Sequence, residues 1–191
     1  MVQYPNAASG LKKIFLAQII AIVGAILCII PVTNIVGLIL ALVSTVFYFL
    51  GIMEAAKDSE GYGSALTFTI VEFVLGLMSL FLRSVPILGK LIDLAGDVCS
   101  IVVLYYICKT TSGLLRNINC NHFAADGDRV WNINKTCLII TAICTVLAII
   151  PLINLIAALI LIVIVIVQIY AGIIYIIFLK NSYQSFESPI H

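Results

Sequence analysis

Three acidic residues stand inside apolar stretches of the sequence, where an ionised side chain is costly. They are Glu72, Asp93 and Asp97, and Lys90 lies close to the second of them. Lys90, Asp93 and Asp97 are three and four residues apart, so a helix places them on one face. If the chain folds back on itself at 84–85, Glu72 and Asp97 come to lie at the same depth.

Two carboxylates that meet in a low-dielectric setting cannot both ionise cheaply, so Glu72 and Asp97 would share a proton. Lys90 would neutralise Asp93 nearer the membrane surface. The pattern predicts a ligand or ion site between the third and fourth helices, for a proton, a cation or a polar solute. The alternative interpretation is a satisfied polar cluster that locks these two helices together.

The run Gly89-x-x-x-Asp93-x-x-x-Asp97 resembles the second half of the signature of CDP-alcohol phosphatidyltransferases, which are membrane enzymes with six spans. Gly76 also matches that signature, but Leu75 stands where its first aspartate belongs. The resemblance implies carboxylates that bind metal ions and hold a diphosphate, in a degenerate site without the leading acid.

Composition places the chain in a membrane. Hydrophobic residues make up 63% of its 191 residues and charged residues 10%, whereas soluble domains average about 45–50% and about 25%. A net charge of +1 excludes a strongly basic protein that binds nucleic acid. No phosphate-binding loop, dinucleotide motif or nucleophile elbow indicates a cofactor or an enzyme. The Cys and His spacing predicts no metal site.

Two long stretches, 14–53 and 136–179, carry no charged side chain, and each is about twice the roughly 20 residues that span a bilayer. Each contains one internal proline followed three residues later by Asn, Pro31 in the first and Pro151 in the second. Such a proline ends a helix and favours a tight turn. Pro86 divides the more polar stretch between them. The predicted hairpins are 14–53, 64–108 and 136–179, with cytoplasmic linkers at 54–63 and 109–135.

The three hairpins also indicate an internal repeat. Segments 55–62 and 124–131, which precede the second and third hairpins, both run from Ala-Ala through charged residues to an aromatic residue at the same spacing. The sequence therefore predicts an all-α polytopic membrane protein, with six transmembrane helices arranged as a threefold repeat of proline-turn hairpins.

Basic residues are distributed unequally between the two sides of this arrangement. Of the 10 Lys and Arg residues, only Arg83 and Lys90 fall on the side of the proline turns. Because short cytoplasmic loops are enriched in Lys and Arg, we expect a protein of the cell membrane with both termini in the cytoplasm.

Small residues recur every four positions on the first two predicted helices. They are Ala17, Ala21 and Ala25 on the first, and Gly37 and Ala41 on the second. Small residues let helix backbones approach closely, which matters in lipid because no hydrophobic force drives helices together. These stripes are expected to seal the first hairpin, or to form an interface with a second copy of the chain or a partner membrane subunit.

Three classes of function fit these features. Transport or permeation of a small solute or ion through the Glu72 and Asp97 pair is preferred, because internal repeats and polar sites at mid-membrane are common in transporters. Against it, six short helices are expected to leave little room for a central cavity. The alternatives are a non-catalytic scaffold or partner-binding subunit that docks through 109–135 and the C-terminal tail, and an enzyme of the degenerate phosphatidyltransferase type.

Overall fold

The computed structural model describes residues 4–82, 86–147 and 151–187, which are helical apart from short connections. The helices are α1 (Pro5–Ile29), α2 (Asn34–Ala55), α3 (Glu60–Phe81), α4 (Pro86–Asn117), α5 (Asn121–Leu147) and α6 (Pro151–Glu187). These ranges contain no strand, and the predicted all-α class is confirmed.

Five of the helices, all but α5, contain a stretch long and apolar enough to cross a membrane. Their outward side chains are large and apolar; Leu38 and Ile162, for example, are 57% and 60% exposed. The chain is therefore a multi-pass membrane protein whose outer surface contacts lipid. The first half of α5 is polar, and only residues 136–147 of its apolar half are described. The sixth span stays a prediction.

Proline begins three of the helices, since Pro5, Pro86 and Pro151 are the first residues of α1, α4 and α6. The first turn of a helix does not use its amide hydrogens, so the missing N–H of proline costs nothing there. Pro31 lies instead in the turn between α1 and α2. There the hydroxyl of Thr33 donates a hydrogen bond of 2.9 Å to a carbonyl of the last turn of α1.

The helices extend well beyond the hydrophobic stretches in which they were expected. Helix α4 continues to Asn117 and α5 begins at Asn121, so most of the expected linker 109–135 is helix. Asn119 makes the turn between them with a φ of 62°, a left-handed conformation that asparagine tolerates. The polar residues of this segment indicated a loop, because polar residues mark the edge of the bilayer. A helix continues past that edge where one of its faces packs against a neighbouring helix.

Each helix contacts its neighbours in the chain, and α6 also contacts α1, so the six helices form a closed ring. The tightest pairs are α1 with α2, α3 with α4, and α5 with α6. Contact between α2 and α3 is much sparser. The end of the ring that carries both termini is called the terminal end, and the opposite end is called the turn end.

One hydrophobic core joins the helices at the terminal end. Its fully buried side chains include Leu11, Ile52, Tyr62, Ile107, Val130 and Phe178, one from each of the six helices. Toward the turn end the apolar side chains become exposed, and Ile29, Ile35 and Phe81 are 80%, 74% and 83% accessible. The hairpins are thus fastened together at one end of the ring.

Polar contacts reinforce the terminal end. The hydroxyls of Tyr62 and Thr111, both fully buried, form a hydrogen bond of 2.7 Å. The carboxylate of Asp58, in the turn between α2 and α3, accepts hydrogen bonds from the backbone of Ala7 (2.8 Å) and the side chain of Asn6 (2.7 Å). Asp58 therefore satisfies amide hydrogens in the first turn of α1, which have no partner within the helix.

Ion pairs surround this end of the ring. They join Lys13 to Glu54 between α1 and α2, Arg116 to Asp128 between α4 and α5, and Lys12 to Glu187 between α1 and α6. All six side chains are partly exposed, so each pair contributes little stability. Their position nevertheless fixes this end of the helices at a polar boundary, where charged groups stay hydrated.

The two helices of the first hairpin meet along small residues seven positions apart. Gly10, Ala17 and Gly24 of α1 face Gly51, Ser44 and Gly37 of α2, and all six are buried. A Cβ atom added to Gly51 would lie 2.7 Å from the carbonyl oxygen of Gly10, and one added to Gly37 would lie 2.7 Å from that of Gly24. Ser44 donates a hydrogen bond of 2.8 Å to the Ala17 carbonyl across the same seam.

This seam includes some of the small residues that the sequence analysis selected and leaves others out. Ala17 and Gly37 lie in it, Ala21 is half-buried, and Ala25 and Ala41 are exposed. The contact follows a spacing of seven residues, as in an antiparallel coiled coil, because two helices that cross at a shallow angle meet again every second turn. A spacing of four drifts away from the partner.

Replacement of Gly51 by alanine is expected to destabilise the protein by about 2 kcal/mol, because the new methyl group collides with the backbone of α1. The matched control is Gly172→Ala on α6, where no heavy atom lies within 4 Å of an added Cβ. Thermal unfolding in detergent measures both variants. A melting temperature that falls equally in both would contradict the seam.

Two buried tyrosines are expected to respond oppositely to removal of the hydroxyl. Tyr62→Phe leaves Thr111 buried without its partner and should cost about 1–2 kcal/mol. The hydroxyl of Tyr175 is buried without a hydrogen-bond partner among the described residues, so Tyr175→Phe should leave stability unchanged or raise it. The same unfolding assay compares them, and an equal loss in both variants would show that this assignment of partners is wrong.

Candidate functional site

A cavity of about 770 Å³ lies among the first four helices. Gln18 of α1, Tyr48 of α2, Glu72 of α3 and Asp97 of α4 all line it. No contact joins α1 to α4 in the described part of the chain, yet both helices line the cavity, and its edge is open at exposed residues such as Leu42. The expectation that six short helices leave little room for a central cavity stays a prediction, since this cavity is lined by residues of the first four helices.

The cavity is at the depth of the bilayer centre. At 1.5 Å per residue, Asp97 lies about 17 Å from the start of α4 at Pro86, and Glu72 lies about 14 Å from the end of α3 at Phe81. The hydrocarbon core is about 30 Å thick, so both carboxylates lie near its middle. An acidic side chain at that depth needs a hydrogen bond, a counterion or water.

Glu72 and Asp97 occupy the same wall of the cavity. Glu72 is half-buried, the hydroxyl of Ser100 is its hydrogen-bond partner, and Asp97 is close enough to act on it electrostatically. Asp97 is exposed to the cavity. The two acids that the sequence analysis placed at equal depth therefore border one space, with Ser100 as an additional partner.

The wall formed by α2 and α3 carries hydroxyl groups whose hydrogens are already used. Ser44 donates to the carbonyl of Ala17, and Thr45 to that of Ala41, at 2.8 and 2.9 Å. Thr69, on α3, likewise donates to the carbonyl one turn earlier in its own helix, at 2.9 Å. A hydroxyl has one hydrogen and two lone pairs, so these groups can offer only acceptor oxygens to an occupant.

The cavity is closed toward the terminal end. Its deepest lining residues are Tyr48 and Thr69, each 17 residues from the proline of its hairpin. Tyr48 lies near Tyr175, and beyond them the core residues Val103 and Ile107 are fully buried. An occupant can therefore not pass to the terminal end through the arrangement seen here.

Several lining residues were not selected from the sequence. Gln18 was not placed in the site, and neither were Ser44, Tyr48, Thr69 or Ser100. A signal was present on α3, where Thr69, Glu72 and Gly76 are three and four residues apart and share one face. No comparable signal marks Gln18 or Tyr48, because a single polar residue in an apolar span does not indicate which way it points.

Two predicted members of the site, Lys90 and Asp93, have side chains outside the described part of the structure. Their place in the site stays a prediction. Within the described residues, no group of three or more His, Cys, Asp or Glu side chains could hold a metal ion.

The two segments predicted as docking surfaces are part of the bundle. In 109–135, Thr111, Ser112, Leu115 and Ala124 are buried, and Ser112 donates a hydrogen bond of 2.9 Å to the Ala124 carbonyl. The end of α6 packs Phe186 against Tyr4, with ring centroids 5.7 Å apart. Neither segment is a free arm within the described ranges.

Cysteines introduced into the cavity should react with a charged, membrane-impermeant thiol reagent. Gly76 and Gly96 both line the cavity and have open space around an added Cβ. Ile162 is the control, since it lies 11 residues after its proline, at a depth like that of Gly96, but faces lipid. In a background without native cysteines, Gly76→Cys and Gly96→Cys should react at least about tenfold faster than Ile162→Cys, because hydrocarbon suppresses the reactive thiolate. Equal rates at the three positions would exclude an aqueous cavity.

Comparison with known protein families, with curated proteins and with solved structures finds no match to this chain. The features available for a functional assignment are therefore the cavity, its two carboxylates and the acceptor oxygens around them.

Proposed function

We propose that this protein transports a small organic cation, such as an amine, through the cavity inside its helix ring. One observation carries the proposal: a mid-membrane cavity that holds two carboxylates and, among its described lining residues, no basic side chain. A cation is the occupant whose charge compensates Glu72 and Asp97 at this depth.

The remaining lining supports a cation over an anion or a neutral solute. The hydroxyls of Ser44, Thr45 and Thr69 offer lone pairs because their hydrogens are bound to backbone carbonyls. An ammonium group carries hydrogen-bond donors and lacks acceptors, so it matches this wall. The ring of Tyr48 adds an aromatic face, which attracts cations.

The size and closure of the cavity fit a transporter better than an open pore. Small-molecule sites usually measure about 300–1,000 Å³, and this cavity has about 770 Å³. Closure toward the terminal end matches one state of an alternating-access cycle, in which one end is shut while the other admits the solute. The sparse contact between α2 and α3 is the place where two hairpins separate most readily.

A threefold hairpin repeat is part of the proposal, and burial supports a register set by the prolines. The residues 21 positions before Pro31, Pro86 and Pro151 are Gly10, Ala65 and Val130, and all three are buried. The residues 24 positions before them, Ala7, Tyr62 and Gly127, are also buried. This register differs by one helical turn from the one given by the Ala-Ala segments, which pairs Tyr62 with the half-buried Trp131.

We further propose that the terminal end faces the cytoplasm of a cell membrane. The ion pairs and eight of the ten basic residues lie at this end, as the enrichment of Lys and Arg on the cytoplasmic side requires. The state described here then closes the cytoplasmic end, and solute would enter from the outside. A homo-oligomer or a partner membrane subunit stays a prediction.

The test is uptake of radiolabelled methylammonium and choline into proteoliposomes, with the uncharged carbon analogue of choline as a reference solute. Wild-type protein should accumulate at least one of the two cations above empty liposomes and should not accumulate the analogue. Glu72→Gln and Asp97→Asn should each lower the initial rate at least about tenfold, because each removes a charge that offsets the cost of placing a cation in a low-dielectric site.

Glu60→Gln is the matched control, since Glu60 is an exposed acid on the first turn of α3, at the terminal end and outside the cavity. It should transport at the wild-type rate. Melting temperatures establish that each variant is folded. Uptake of neither cation, or uptake that survives both cavity substitutions, would refute the proposal.

A further inference from the structure

A second cavity, of about 650 Å³, lies on the outer surface between α5 and α6. On α5 it is lined at Asp128, Asn132 and Thr136, which are four residues apart and share one face. Its walls at Val163 and Ile140 are 58% and 37% exposed, so it is open toward the lipid. It shares no lining residue with the transport cavity.

This groove changes from polar to apolar along its length. At the terminal end it is bordered by Asp128, Arg129 and Asn132, whereas Ile140 and Val163 form its deeper walls. The distance from Arg129 to Ile140 is 11 residues of helix, about 17 Å. One leaflet contributes about half of a 30 Å hydrocarbon core, so the groove is about as long as a leaflet is thick.

The mouth of the groove carries one acidic and one basic side chain, Asp128 and Arg129. The carboxylate of Asp128 is paired with Arg116 across the turn between α4 and α5. Arg129 makes no ion pair within the residues that the structure describes, and it is exposed. Asn132 follows three residues later on the same face and supplies an amide that can donate hydrogen bonds.

We infer that this groove binds one anionic phospholipid of the leaflet that surrounds the terminal end. The guanidinium group of Arg129 offers a planar pair of donors to the phosphate, a geometry that suits a phosphate group well. One acyl chain of this phospholipid lies along the apolar walls that Ile140 and Val163 form. Anionic lipids are concentrated in the cytoplasmic leaflet, which is the leaflet the proposed orientation gives to this end.

The site does not depend on transport through the other cavity. The acyl chains of any lipid can fill a groove that opens to the bilayer. What distinguishes this site is a preference for an anionic headgroup that depends on Arg129. Lys109 is the control cation, because it is also exposed at the terminal end but does not line the groove.

The experiment is native mass spectrometry of the detergent-solubilised protein with dioleoyl phosphatidylglycerol or dioleoyl phosphatidylcholine. Wild-type protein should retain one phosphatidylglycerol at concentrations where phosphatidylcholine is lost. Arg129→Gln should weaken phosphatidylglycerol binding about tenfold, the scale of one charge-assisted hydrogen-bonded contact. Lys109→Gln should leave it unchanged.

A second variant tests the apolar half of the groove without a change in charge. Val163→Trp fills the space for the acyl chain and should also release the lipid, while circular dichroism reports whether the helices remain folded. The inference fails if wild-type protein binds both lipids equally, if Arg129→Gln keeps the preference, or if Lys109→Gln loses as much as Arg129→Gln.

Discussion

The closed ring depends on the hydrophobic core at its terminal end. Lipid gives apolar helices no reason to associate, so a membrane bundle needs close packing or hydrogen bonds to hold it together. Here both are concentrated where Tyr62, Thr111 and Phe178 meet and where ion pairs surround the helix ends. Because the fastening is at one end, the other part of the ring is free to enclose a polar space. The core and the cavity therefore both follow from the concentration of contacts at the terminal end.

Backbone hydrogen bonding determines the chemical character of that space. Hydroxyl groups on transmembrane helices commonly donate to a carbonyl one turn earlier, which satisfies the hydrogen without water. Thr45 and Thr69 do this, and Ser44 donates across the seam to α1. The result is a set of oxygen lone pairs that line the same cavity as Glu72 and Asp97. In the proposed function, these acceptors and the two carboxylates favour a positively charged solute.

The turns before Pro86 and Pro151 lie outside the described residues, and the threefold hairpin repeat stays a prediction. The sequence predicted the all-α class and the turn at Pro31, because hydropathy and proline chemistry act locally along the chain. It also placed Glu72 and Asp97 at one depth, since antiparallel hairpins relate residues by simple counting about the turn. It did not predict that 109–135 is mostly helix, because polarity marks the bilayer boundary and not the end of a helix. It did not predict Gln18 and Tyr48 in the cavity. These residues belong to the α1–α2 pair, whereas Glu72 and Asp97 belong to α3 and α4, and local sequence patterns do not indicate how one helix pair packs against another. The spacing of the α1–α2 seam was predicted as four residues, although seven is found, because residues four apart share a face over one turn and drift away from the partner helix only over longer stretches.

The position of Glu72 in the proposed repeat links activity to stability. In the register set by the prolines, the residues 14 positions before Pro31 and Pro151 are Ala17 and Cys137, both small and buried. The equivalent residue of the middle hairpin is Glu72. A large, half-buried acid therefore stands where the first and third hairpins carry a small, buried side chain. Any exchange that improved its packing would remove a carboxylate, so natural selection for a more robust protein and for a working one would act in opposite directions at this position.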